Sequence, residues 1–147
     1  MRFGTYGRGI WDYDGNACAG SIAEYGQGCP GSGGIVPALT MSGCPSPGDA
    51  VRLTLTGALG GTTALLALGQ QTASIPMGPC TLLVGGLFPI YPALPTGGSG
   101  PGNGGFDLPI NVPPAAAAAD YAVQAWVIDP GAASGRSATN GVSFQIR

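Results

Sequence analysis

The chain has no lysine and no histidine, and only 8% of its 147 residues are charged. Soluble domains usually carry about 25%. Without Lys there is no Schiff-base chemistry, and without His a Ser or Cys nucleophile lacks an imidazole base. Five scattered Arg at net charge −2 make no basic face, so nucleic acid is excluded as a partner. Long hydrophobic runs are also missing. The most apolar stretch, residues 81–94, is broken by Gly85, Gly86, Pro89 and Pro92, and a membrane span needs roughly 18 apolar residues. No N-x-[ST] sequon occurs. Met1-Arg2-Phe3-Gly4 opens without an apolar leader region, which reads as a mature form or as a chain given without its leader.

Glycine and proline fill the space. Together 28 Gly and 14 Pro leave no room for long helices. Such a share often accompanies disorder, but disordered chains pair low hydrophobicity with high charge. Here 44% of residues are hydrophobic, in short runs between turn residues. One ordered, turn-rich β domain is expected. Its surface must be built from Gly, Ser, Thr, Asn, Gln, Ala and Pro. Such a surface repels copies of itself weakly and favours self-association or glycan contact.

Cys18, Cys29, Cys44 and Cys80 read as two disulfides formed in an oxidising, extracellular or cell-surface compartment. Three pairings are possible. Gaps of 10, 14 and 35 residues give no CxxC knuckle for zinc.

Short strand candidates follow one another from Tyr25. Val51, Leu53 and Leu55 face in while Arg52, Thr54 and Thr56 face out. Residues 35–41, 63–68, 80–84, 106–111, 121–128 and 142–146 read as further strands. Residues 87–94 carry Pro89 and Pro92 and read as an edge strand or extended loop. Ser46-Pro47-Gly48-Asp49, Gly60-Gly61, residues 97–105, Asp129-Pro130-Gly131 and Asn140-Gly141 read as turns. Residues 113–119, with Pro first and five Ala, read as a turn or two of helix. The fold class is all-β: an antiparallel β-sandwich, jelly-roll-like, of eight or nine short strands, stapled by disulfides.

Several motifs carry a resemblance. Tyr25-Gly26-Gln27-Gly28-Cys29-Pro30-Gly31-Ser32-Gly33-Gly34 opens the stretch, and Ser42-Gly43-Cys44-Pro45-Ser46-Pro47-Gly48 follows. Later come Cys80-Thr81-Leu82-Leu83-Val84, Gln124-Ala125-Trp126-Val127-Ile128-Asp129-Pro130-Gly131 and Ser137-Ala138-Thr139-Asn140-Gly141. This order resembles Gly/Pro-rich β domains of secreted and surface proteins of planctomycetes and similar bacteria. The resemblance implies export, a β-sandwich and no particular activity. It also implies pairing of Cys29 with Cys80, which leaves Cys18 with Cys44.

Residues 1–24 form an extension that the resemblance does not cover, ahead of a sandwich domain at 25–147. Phe3, Tyr6, Ile10, Trp11 and Tyr13 alternate there with glycines, beside Arg2, Arg8, Asp12 and Asp14. The segment can fold back on its own domain. Alternatively it docks on a neighbour by strand addition, with those five residues as subunit contacts. A head-to-tail contact of that kind builds fibres.

Other sites read weakly. Asp12-Tyr13-Asp14-Gly15-Asn16 begins like a calcium loop, but the Gly and Glu positions hold Ala17 and Ala23. The remaining acids, Glu24, Asp49, Asp107, Asp120 and Asp129, sit in turns or at strand ends without a catalytic motif. Trp11, Tyr13, Tyr91 and Trp126 are aromatics that could stack on glycan, Trp126 reading rather as core. No catalytic residue, metal or cofactor is expected. The expected function is a secreted, non-enzymatic structural subunit of an extracellular filament or surface assembly, a homo-oligomer or homopolymer joined through the extension. The alternative is a monomeric glycan-binding or adhesion module of the cell wall or matrix.

Overall fold

The computed structural model describes residues 18–88 and 92–147. It contains β1 (Ser21–Tyr25), β2 (Ala38–Gly43), β3 (Ala50–Gly60), β4 (Thr63–Met77), β5 (Cys80–Leu87), β6 (Ala93–Pro95), β7 (Gly100–Asn111), β8 (Ala119–Ile128) and β9 (Arg136–Ile146). Among the described residues a single 3-10 turn, Ser32–Gly34, is the only helical element. The larger sheet runs β1-β9-β8-β4-β5, with β6 also on β4, and the smaller runs β2-β3-β7. All pairings are antiparallel.

The period-2 pattern of β3 places its apolar set inward: Val51, Leu53 and Leu55 are buried while Arg52 and Thr56 are exposed. Leu53 and Leu55 join Leu39 of β2 and meet Leu66 of β4, Val123, Ala125 and Val127 of β8, and Val142 of β9. Each such side chain contributes about 1.5–3 kcal/mol when taken out of water. This inter-sheet layer is the core, and the sandwich read from the sequence is the fold.

Asn140 ties the sheets together at one edge. The Leu39 N–H donates to Asn140 Oδ1 and Asn140 Nδ2 donates to the Leu39 carbonyl, both at 3.0 Å. The amide therefore replaces the strand that β2 lacks. Asn140-Gly141 accordingly lies inside β9, not in a turn, and residues 129–135 reverse the chain instead. Gly141 is needed there because a Cβ would overlap the Tyr25 ring that crosses it.

Three further expectations change. The segment 113–119, expected as a short helix, is a turn that enters β8 at Ala119, with one Ala116-to-Pro113 backbone bond, since so few residues cannot offset the cost of helix nucleation. The glycine run read as a loop enters β7 at Gly100, because Gly105 lies against the Leu55 carbonyl where any Cβ would collide. β4 continues to Met77, well past the apolar run at 63–68.

The disulfides join Cys18 to Cys44 and Cys29 to Cys80, the same pairs that the resemblance implies. Two bridges in a domain this small fit an extracellular location. The first fastens the start of the described chain beside the end of β2. The sheet then begins at Ser21, so residues 21–24 of the extension pair with β9.

Candidate functional site

The outer face of the larger sheet carries the feature that composition does not reveal. Along β8, Val123, Ala125 and Val127 point into the sandwich, so Gln124, Trp126 and Ile128 point out. An outward Gln would normally be wet, yet Gln124 is 0% exposed. The cause lies in β4. Its residues 64–69 pair with β8, while its residues 69–77 pair with β5. This second half and β5 form a hairpin laid back over the outer face.

Gln124 fastens the hairpin. The Leu83 N–H donates to its Oε1 at 3.0 Å, and its Nε2 donates to the Thr81 and Thr139 carbonyls at 3.0 and 2.9 Å. Trp126 Nε1 donates to the same Oε1 at 3.1 Å. The Tyr25 hydroxyl donates to the Leu83 carbonyl. Burial pushes its phenol above the usual range, which keeps that proton in place. The Cys29–Cys80 bridge anchors the start of β5 next to Ala138. These groups also satisfy part of the free β5 edge, which would otherwise invite another strand.

Two grooves remain on either side of the hairpin. Toward the β1 end, Ser21, Gln70, Gln71, Asp120 and Gln145 line a polar groove of about 460 Å³. Toward the other end, Leu65, Met77, Leu82, Leu87 and Trp126 line an apolar groove of about 280 Å³. Its polar member is Arg136, whose guanidinium lies 5.3 Å from the Trp126 ring centroid, a cation–π distance. Leu65, Met77 and Leu87 are exposed, as are Ile75 and Ile128. Ile75 pairs with Leu82 and Ile128 with Arg136, so both extend the same apolar surface.

Trp126 is therefore half-buried on the outer face and not part of the inter-sheet core. Phe3, Tyr6, Ile10, Trp11 and Tyr13, with Asp12, Asp14 and Tyr91, lie outside the described residues. Asp107, Asp120 and Asp129 have structural partners. Asp107 pairs with Arg52 at 2.7 Å and Asp120 with Arg147 at 2.8 Å, all exposed. Asp129 is buried and accepts bonds from the Ser32 hydroxyl, the Ser32 N–H (2.7 Å) and the Gly131 N–H (3.0 Å). Burial pushes its carboxyl up, but these bonds and the Ala132 amide outweigh it and hold the carboxyl below its ordinary range. Among the described residues no three metal-ligating side chains converge, and no helix is long and apolar enough to cross a membrane.

Gln124 and Arg136 escaped the sequence reading. The available signal was a lone amide inside the most apolar strand, since a polar residue buried there needs partners. No family model, curated protein or solved structure matches the chain.

Proposed function

We propose that the protein is a secreted, non-enzymatic structural subunit that assembles with copies of itself into an extracellular filament or surface layer. The segment that joins the copies is the part of the extension beyond the Cys18–Cys44 staple, residues 1–17. The observation that carries this reading is the outer face: exposed Leu65, Met77, Leu87 and Ile128 surround an open apolar groove. Apolar patches of this kind mark interaction surfaces. A chain with 8% charge has little repulsion to keep its copies apart. The aromatic, Gly-rich segment at 1–17 supplies anchors of matching character.

Electron microscopy of the full chain under non-reducing conditions tests it. Regular polymers are expected, and deletion of residues 1–17 should leave a folded monomer that retains both disulfides. A deletion variant that still polymerises removes the extension from the mechanism.

The polar groove favours a second reading, glycan binding, because amides, hydroxyls and a carboxylate line it. Retention on wall polysaccharide that is lost in Gln71→Ala and Gln145→Ala supports it. Retention that survives both changes removes the groove from that role.

A further inference from the structure

We infer that the apolar groove beside the β4–β5 hairpin receives residues 10–14 of a second copy, with Trp11 and Tyr13 among its apolar side chains and Asp12 and Asp14 facing Arg136. The inference rests on the assembly reading above and names the surface that reading leaves open.

The chemistries match. The groove offers Leu65, Met77, Leu82, Leu87 and the Trp126 ring, with Arg136 as its cation. Among the described residues Arg136 forms no ion pair, whereas Arg52 and Arg147 do. The segment Ile10-Trp11-Asp12-Tyr13-Asp14 alternates apolar or aromatic residues with acids. In an extended segment Trp11 and Tyr13 share one face and Asp12 and Asp14 the other. The aromatic face can fill the groove while the acids reach a guanidinium at its rim.

The same lining argues against glycan here. Sugars need several hydrogen-bonding groups around an aromatic plane, and the indole N–H is already given to Gln124.

Geometry selects a second copy over the same one. Ser21 pairs with Gln145 and Arg136 stands at the opposite end of β9. Ser21 therefore stands about 30 Å from Arg136 at the far rim of the groove, at about 3.4 Å per strand residue. Between the two lies the hairpin, fastened over Gln124 and Tyr25. Trp11 stands seven residues and Asp14 four residues before Cys18, which its disulfide fixes, so at full extension they reach at most about 25 Å and about 14 Å from it, with the hairpin across that path. A neighbour placed end to end meets no such obstacle. Donor end and acceptor end on opposite ends of one subunit make a heterologous contact, which propagates without closing.

The test uses the full chain. p-Benzoylphenylalanine replaces Trp11, equal amounts of ¹⁴N- and ¹⁵N-labelled protein are mixed and irradiated, and the cross-linked peptides are identified by mass. Links between light and heavy copies, from position 11 to the peptides carrying Leu65, Met77 or Leu87, are expected. Links confined to one copy, or directed to β7, overturn the inference even where polymers form. If the unmodified chain is monomeric at every concentration, the assembly reading itself fails. A companion series separates local from general effects. Leu87→Glu, at an exposed position, should weaken assembly tenfold or more, while Thr56→Glu, exposed on the outer face of the smaller sheet, should leave it unchanged. The reverse pattern transfers the contact to the smaller sheet.

Discussion

Gln124 concentrates the consequences of the fold in one side chain. Its four hydrogen bonds link β5, β8, β9 and the Trp126 indole, and the side chain is closed off from bulk water. Gln124→Ala should cost about 3 kcal/mol, because a buried donor or acceptor left without a partner costs about 1–3 kcal/mol. Urea unfolding measures it. Asp129 makes a pH-dependent contribution. Its carboxyl titrates lower in the folded chain than its ordinary 3.8, so the unfolded chain binds that proton more tightly. The stabilisation is complete above the unfolded value and is lost as pH falls through the folded one. Asp129→Asn should therefore be less stable than the parent at neutral pH, and the difference should shrink below about pH 4. A parallel offset at all pH values contradicts this assignment. Neither role was legible from the residue alone. Asp129 read as a turn acid, and only the 97-residue separation from Ser32 closed by folding shows what it holds.

At the element scale, strands with one wet face were readable and strands doing two jobs were not. β3 alternates cleanly because one side meets core and the other meets water. The second half of β4 shows no such pattern, since Gln70, Gln71 and Thr72 pair with β5 in a hairpin that no core side chain dictates. Asn140-Gly141 misled for a related reason: a dipeptide that favours turns was used for its small size and its amide. The hairpin depends on its staple. Opening Cys29–Cys80, which spans 51 residues, should cost about 4 kcal/mol by chain entropy. Hydrogen exchange of the Cys29→Ser/Cys80→Ser variant should show β5 losing protection first. Opening Cys18–Cys44, separated by 26 residues, should cost about 3.5 kcal/mol and loosen β1 instead. Uniform loss across both sheets in either variant contradicts the division of labour.

The whole molecule presents one covered core and one partly covered outer face. The sparse charge that was read as weak self-repulsion acquires a location there, because among the described residues five of the eight exposed large apolar side chains, Leu65, Ile75, Met77, Leu87 and Ile128, lie at or beside the groove. The sandwich was legible because periodicity reports burial. The groove was not, because it arises from the folding of one long hairpin over a finished sheet. Sedimentation velocity of the full chain, non-reduced and over a wide concentration range, tests the central claim most directly. The account predicts species that grow with concentration well beyond the 14.4 kDa of one chain, and growth that stops when residues 1–17 are removed. A single species of one-chain mass at every concentration would contradict it.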